Sequence, residues 1–140
     1  MAKTATTRPE ATDVAAFLAG VPDAQRRADA EAVLRMMQAV TGCPPVMWGG
    51  SIVGFDRYRP GGSGSTAADW PIVGFSPRKQ ALVLYLTPGF EAQAALLARL
   101  GRHTLGKSCL YLKRLADVDG GVLEALVRAS VDEMRRRHPA

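Results

Sequence analysis

The sequence predicts an α+β fold in which an antiparallel sheet of about four strands packs against N- and C-terminal helices. Apolar residues recur at helical spacing before Thr41 and after Asp119, while short runs typical of strands fill the middle of the chain. The predicted order is two helices, three strands, a helix, a strand and a helix. Because strands and helices do not alternate regularly, the order favours an antiparallel sheet covered by helices.

Two helices are predicted before the sheet. Thr12 is the expected N-cap of the first helix. The second runs from about Pro22 to Thr41, with Asp23 at its positive end and Gly42 as its stop. Its buried stripe is predicted to be Ala30, Val33, Leu34, Met37 and Val40.

Two further helices are predicted in the second half of the chain. One runs from about Glu91 to Leu100, and the other follows Asp119. The inner face of the last helix is predicted to be Leu123, Leu126, Val127, Ser130, Val131 and Met134.

The strands are read from β-branched, aromatic and apolar runs. The four runs are Ile52–Tyr58, Trp70–Phe75, Ala81–Leu86 and Cys109–Lys113. A Gly/Ser-rich loop from Arg59 to Asp69 joins the first two and is expected to be flexible. Because Leu82–Leu86 is apolar at successive positions, it predicts a central strand.

Length and composition fit one soluble domain. The chain has 140 residues, of which 47% are hydrophobic and 22% charged, an ordinary globular balance. We predict a disordered tail at residues 1–10 and a single domain over residues 11–140. No apolar run reaches the roughly 18–20 residues of a membrane span, and the start of the chain does not resemble a signal peptide. A cytoplasmic location without membrane partners is therefore expected.

The basic composition is a weak indication of partner class. The formal net charge of +5 favours nucleic acid or anionic ligands. Much of this charge lies on two helical faces, Arg26–Arg27 and Arg135–Arg137, and a solvated C-terminal helix end also accounts for the second cluster. The two cysteines, Cys43 and Cys109, are too few for a disulfide framework and are interpreted as ordinary thiols.

The segment from Gly101 to Ser108 matches the phosphate-binding pattern GxxxxGK[ST] letter for letter. In a nucleotide-binding loop a strand precedes this pattern and a helix follows it, so that the helix N-terminus faces the phosphates. Here a helix precedes the pattern and a strand follows, so the segment is not predicted to bind ATP. Arg102, His103 and Lys107 can still form an anion-binding loop, or the glycines can serve a plain connector with solvated cations.

Three segments resemble the YdhG-like family, a bacterial group built around a domain of unknown function. They are Pro44–Phe55 (PPVMWGGSIVGF), Gly74–Gln80 (GFSPRKQ), and Gly106–Tyr111 (GKSCLY) followed by Lys113–Asp117 (KRLAD). With the flanking helices, the likeness extends from about Thr12 to Pro139. It implies a compact cytoplasmic α+β domain with an antiparallel, frataxin-like sandwich.

Some members of this family are described as frataxin-like iron chaperones for iron–sulfur cluster assembly, and the resemblance implies this function as an alternative. Frataxins hold iron on a ridge of carboxylates, and hard cations need such oxygen ligands. The acids near the first two helices are Glu10, Asp13, Asp23 and Asp29, and they are scattered around Arg26–Arg27. We therefore assign no metal ligand and no cofactor.

Polar and aromatic side chains at strand ends and in loops form the candidate ligand-binding set. The set is Trp48, Ser51, Arg57, Tyr58, Arg78, Lys79, Lys107 and Ser108, with Ser76 beside it. One hypothesis is that some converge on one face and hold an anion, with Arg78 as a bidentate donor and Lys107 as a point charge. In the alternative, Trp48 is a core residue, Ser76–Pro77 forms a turn and Arg78–Lys79 is a solvated loop tip.

The sequence does not predict an enzyme. No acid lies near His103 in sequence to orient it, His138 is in the terminal region, and no motif of a catalytic family occurs. We expect a non-enzymatic binding or accessory domain for an anionic small molecule or a protein partner, without a cofactor. A frataxin-like iron chaperone and a nucleic-acid-associated basic protein are the alternatives.

Overall fold

Helices and strands account for most of the residues that the computed structural model describes, which are 9–10, 13–59, 69–87 and 89–138. The α-helices in these ranges are α1 Val14–Ala19, α2 Ala24–Thr41, α3 Ala94–Leu100 and α4 Gly120–Arg137. The strands are β1 Pro9–Glu10, β2 Pro45–Trp48, β3 Ile52–Phe55, β4 Val73–Pro77, β5 Leu82–Leu86, β6 Thr104–Leu105 and β7 Cys109–Leu112. Short 3-10 helices cover Glu91–Gln93 and Leu115–Asp117.

One antiparallel sheet contains all these strands, in the order β1–β2–β3–β4–β5–β7–β6. The predicted α+β class is confirmed, and the seven strands of the sheet exceed the predicted four. The additional strands are β1, β2 and β6. Strand β2 was missed because it starts at Pro45 directly after a proline-rich helix stop, although proline is tolerated as the first residue of a strand.

Strand β1 lies inside the predicted tail. Pro9 pairs with Trp48 and Glu10 pairs with Met47, so these two residues extend the sheet and are not a disordered tail. Residues 1–8 lie outside the described residues.

Aspartate N-caps begin three of the helices, α1, α2 and α4. The carboxylate of Asp13 accepts the Ala15 N–H at 2.9 Å and caps α1. The predicted cap, Thr12, was therefore wrong by one residue, and Thr12 itself lies outside the described residues. At α4, Asp119 accepts the Val122 N–H at 3.0 Å, which confirms the predicted start.

Helix α2 begins two residues later than predicted because Asp23 is its cap and not a residue of its first turn. The Asp23 carboxylate accepts the Arg26 N–H at 2.7 Å, and Pro22 precedes the cap. The helix ends as predicted at Gly42, whose φ of 72° is left-handed. Such a C-cap favours glycine, which has no Cβ to clash.

The main core lies between one face of the sheet and the helices α2 and α4. All six residues predicted for the inner face of α4 are buried. Of the predicted α2 stripe, Ala30, Val33 and Met37 are buried, whereas Leu34 and Val40 are half-buried. The strand residues in this core are no more than 1% exposed: Met47, Val53, Phe55, Val73, Phe75, Leu82, Leu84, Leu86, Leu110 and Leu112.

Strands β3 and β4 are shorter than the sequence predicts at the end where they adjoin the Gly/Ser-rich segment. Strand β3 stops at Phe55 because Asp56 has a positive φ of 61°. Strand β4 starts only at Val73, after Pro71, which has no N–H for the ladder. Residues 60–68 lie outside the described residues. Strand β5 lies between β4 and β7, so its predicted central position is confirmed.

None of the helices in the described ranges is both long enough and apolar enough to cross a membrane.

Candidate functional site

The sheet has a second face that the main core does not include. Five residues face one another across consecutive strands on this side: Val46, Gly54, Gly74, Tyr85 and Cys109. Side chains alternate along a strand, so the residue two positions away on each strand lies on the same side. These further residues are Trp48, Ile52, Ser76, Val83 and Tyr111. We call these ten residues the second face. Its buried apolar residues Trp48, Ile52 and Val83 are separate from the core that α2 and α4 cover.

Trp48 covers the part of the second face above β3. A Cβ on Gly54 would lie 2.5 Å from Cδ1 and 2.6 Å from Nε1 of Trp48, so the indole rests directly on the strand backbone. At the facing Gly74, the atoms nearest to a Cβ would be backbone atoms of β3, with the Val53 oxygen at 2.7 Å. Both glycines are buried, so the lack of a Cβ at this pair allows close packing against the strand backbone.

Aromatic and cationic groups from the chain after β3 surround Trp48, which is only 1% exposed. The rings of Trp48 and Trp70 lie 6.4 Å apart with an interplanar angle of 55°. The Arg57 guanidinium lies 5.9 Å from the indole centroid, within cation–π range, and pairs with Asp69 at 3.6 Å. Trp48 is therefore a packing residue, as the alternative interpretation predicted, but it packs outside the main core.

Polar side chains occupy the other part of the second face. Arg78 Nη2 donates to the Tyr85 hydroxyl at 3.0 Å. Cys109 faces Tyr85 across β5 and β7 and is two residues from Tyr111. Ser76, next to Val83, is 1% exposed. We call Ser76, Arg78, Tyr85, Cys109 and Tyr111 the tyrosine cluster.

Both phenols of the tyrosine cluster are neutral at physiological pH. Burial raises the pKa of Tyr85 above its ordinary value, although the charge and hydrogen bond of Arg78 oppose the shift. A hydrogen bond with Cys109 raises the pKa of Tyr111. Protonated phenols can donate hydrogen bonds, so Tyr85 and Tyr111 add donors to the guanidinium of Arg78.

Two buried polar atoms of the second face have no hydrogen-bond partner within the described residues: Trp48 Nε1 and Ser76 Oγ. A buried polar group left unpaired costs about 1–3 kcal/mol, so such groups are uncommon without a reason. Both atoms belong to residues that are 1% exposed. Because both atoms are buried, a bound molecule could supply the missing partners only if a group that covers them moved aside.

The predicted ligand-binding residues divide between two ends of the sheet. The end with the β2–β3 and β4–β5 turns carries Ser51, Arg78 and Lys79, all exposed. The opposite end carries Arg57, Tyr58, Lys107 and Ser108. There Tyr58 pairs with Trp70 and packs against His138, with ring centroids 4.7 Å apart.

Arg78 and Lys107 do not share a pocket, contrary to the hypothesis of one converging anion site. Arg78 lies in the turn before β5, whereas Ser108, the neighbour of Lys107, accepts the N–H of Leu86 at 2.8 Å at the far end of that strand. Strand β5 separates the two cations by about 13 Å at roughly 3.3 Å per residue. Lys107 instead lines a cavity of 620 Å³ beside α4.

The segment from Gly101 to Ser108 has the order that the sequence predicts. It follows α3, contains β6 and leads into β7, and no helix begins within it. Gly106 N–H donates to Cys109 O at 2.8 Å and closes the turn between the two strands. Because no helix N-terminus faces this turn, it lacks the geometry of a nucleotide-binding loop.

Three of the four acids considered for iron, Asp13, Asp23 and Asp29, have a structural partner. Asp13 and Asp23 cap helices, as described above. Asp29 is buried and accepts hydrogen bonds from Gln25 Nε2 at 2.8 Å and from the Leu115 N–H at 3.0 Å. Across the described ranges, no three His, Cys, Asp or Glu side chains are grouped as a metal site would require.

Sequence reasoning missed three residues of the tyrosine cluster: Tyr85, Cys109 and Tyr111. Tyr85 was placed in an apolar strand, and Cys109 was interpreted as an ordinary thiol. The available signal was alternation, because Cys109 and Tyr111 are two residues apart and must share a face. That this face also contains Tyr85 follows only from the pairing of β5 with β7.

Comparison of the chain with protein-family models, with curated proteins and with solved structures finds no match. The resemblance to the YdhG-like family therefore stays a prediction that depends on the three segments quoted above.

Replacing Gly54 by Ala is expected to lower the free energy of unfolding by about 1–3 kcal/mol, because the new methyl group would overlap the Trp48 indole. Denaturant unfolding measures the change. Gly50→Ala is the control, since a Cβ there meets nothing within 4 Å. Equal losses in both variants would contradict the contact between Trp48 and β3.

Replacing Arg78 by Ala is expected to raise the pKa of Tyr85 further, because the guanidinium favours the phenolate. Ultraviolet titration of phenolate absorption detects the deprotonation of Tyr85. Loss of this titration step in Tyr85→Phe assigns it to Tyr85. Lys79→Ala is the charge-matched control. Since folding raises this pKa, the contribution of Tyr85 to stability is present below the ordinary pKa and declines as pH rises through the folded value. A step that moves to lower pH in Arg78→Ala would refute the contact.

Proposed function

We propose that this chain is a non-enzymatic binding domain that holds an anionic small molecule on the second face of its sheet. The ligand contacts would come from the tyrosine cluster and from the indole N–H of Trp48. Of the residues in the candidate ligand-binding set, this proposal uses Trp48 and Arg78. We further propose that the protein is YdhG-like and cytoplasmic.

Charge is the first support for an anionic ligand. The second face offers the guanidinium of Arg78, the hydroxyls of Ser76, Tyr85 and Tyr111, and the indole N–H of Trp48. None of the ten residues that define this face is Asp or Glu. Carboxylate and phosphate oxygens accept hydrogen bonds from such groups, and a bond to a charged partner is roughly twice as strong as a neutral one.

The unpaired Trp48 Nε1 and Ser76 Oγ are the observation that carries the proposal. A serine on this strand could be replaced by alanine without leaving a hydroxyl buried. The presence of serine at position 76 is therefore consistent with a hydroxyl that is retained for binding at some cost in stability. A ligand oxygen that accepts from either atom would recover the lost hydrogen bond.

Shape is a further support for a small ligand. The buried Gly74 lies between the Trp48 indole and the side chain of Tyr85. A flat group that displaced the groups covering Gly74 could approach the strand backbone closely, because this residue has no Cβ. Arg78 is exposed, so its guanidinium can reorient toward an incoming anion.

Replacing Ser76 by Ala is expected to raise the free energy of unfolding of the ligand-free protein by about 1 kcal/mol, because it removes an unpaired buried hydroxyl. The control is Ser130→Ala, which removes a buried hydroxyl that donates to Thr87 O and should lower stability. Denaturant unfolding of both variants measures the difference. A loss of stability in Ser76→Ala as large as in Ser130→Ala would show that the Ser76 hydroxyl is satisfied.

Inorganic phosphate and a panel of small carboxylates and phosphate esters are expected to raise the melting temperature. Binding of the best ligand should weaken by about tenfold in Arg78→Ala, since loss of a charge-assisted contact of about 1.4 kcal/mol corresponds to that factor. Lys79→Ala, an adjacent exposed cation without a described side-chain partner, should bind normally.

Equal weakening in Arg78→Ala and Lys79→Ala would reduce the effect to general surface charge and would refute the proposed site.

The two alternative functions predict different results for the same protein. Nucleic-acid binding requires affinity that falls steeply with salt. Iron carriage requires ferrous-ion uptake that is lost when Asp13 and Asp23 are neutralised.

A further inference from the structure

The cavity that Lys107 lines is on the helix-covered side of the sheet, at the end of β5 opposite to Arg78. Its volume is 620 Å³, within the roughly 300–1,000 Å³ of ligand pockets. One wall is the face of α4 that contains Leu126, Ser130 and Glu133, and the facing wall is the segment 89–93. Lys107 reaches the cavity from the turn between β6 and β7.

Backbone contacts fix the turn that carries Lys107. The Leu86 N–H donates to Ser108 O at 2.8 Å, and a Cβ on Gly89 would lie 3.1 Å from Lys107 O. On the α4 side, Ser130 Oγ donates to Thr87 O. These contacts therefore fix the position of the Lys107 backbone relative to the two walls of the cavity.

Three of the charged groups lining the cavity, Glu133, Arg136 and Arg137, form an ion-pair cluster with a net charge of +1. Glu133 accepts from Arg136 and, at 2.6 Å, from Arg137 Nε. These guanidiniums lower the pKa of Glu133 to about 2, so the carboxylate stays ionised at neutral pH. The cluster therefore contributes one net positive charge to the lining of the cavity.

The other charged lining groups make no ion pair within the described part of the chain. They are the ammonium of Lys107 and the carboxylates of Glu91 and Asp132. With the ion-pair cluster included, the lining carries three cations and three carboxylates, so neither a simple anion nor a simple cation matches all of it. A molecule that carries both charges can pair with each kind of group.

The rest of the lining includes the apolar side chains of Leu86, Phe90 and Leu126. These are suited to an apolar group of the ligand. From this combination we propose that the cavity binds a small zwitterion with an apolar side chain, of the chemical class of a free α-amino acid. Lys107 holds its carboxylate, Asp132 or Glu91 holds its ammonium, and the apolar residues contact its side chain.

Calorimetric titration with three probes tests this proposal: leucine, N-acetylleucine, which lacks the positive charge, and leucinamide, which lacks the negative charge. Leucine is expected to bind at least about tenfold more tightly than either analogue, because each analogue loses one charge-assisted contact. Lys107→Ala should reduce leucine affinity to that of leucinamide. Asp132→Asn together with Glu91→Gln should reduce it to that of N-acetylleucine.

Lys113→Ala, an exposed lysine outside the cavity, is the matched control and should bind leucine normally. The response to phosphate at the second face should be unchanged in the Lys107 variant, which separates this proposal from the proposed function. No detectable leucine binding, or equal binding of N-acetylleucine and leucine, would overturn the assignment.

Discussion

Because Gly54 has no side chain, the indole of Trp48 lies directly against β3 and keeps one half of the second face dry. Trp70 and Arg57 lie around the indole, and the glycine pair of β3 and β4 sets how closely it approaches. A sheet with helices on one side normally leaves its other side to solvent. Here Trp48, together with Trp70 and Pro71, covers part of that side, and the polar residues beside it occupy a partly dry setting.

That partly dry setting explains why the hydroxyls of the tyrosine cluster differ in pKa and in hydrogen-bond strength from hydroxyls on the open surface. Hydrogen bonds and charges act more strongly where water is partly excluded. The raised pKa values of Tyr85 and Tyr111 reflect burial in one case and a neighbouring thiol in the other. At the opposite end of β5, Lys107 faces a cavity with carboxylates, so the two predicted cations have different chemical surroundings.

Local signals in the sequence were sufficient for the helices. A carboxylate at Asp23 or Asp119 and a glycine at Gly42 act on the adjacent helix end, so their effect is visible without tertiary structure. The class of fold followed from the order of elements. The tyrosine cluster could not be predicted, because β5 and β7 are separated in sequence by α3 and their register depends on packing. For the same reason the sequence could not show that Arg78 and Lys107 lie at opposite ends of one strand.

The borders of the sheet are short: β1 and β6 have two residues each. A long, flat border strand offers a row of free backbone donors and acceptors, which is the route by which sheets of separate molecules join into fibres. Pro9 has no N–H to offer, and β6 is interrupted after Leu105 by the turn into β7. Within the described residues, the two borders of the sheet therefore offer little template for ribbon-like self-association, even though the sheet interior is rich in residues that favour it.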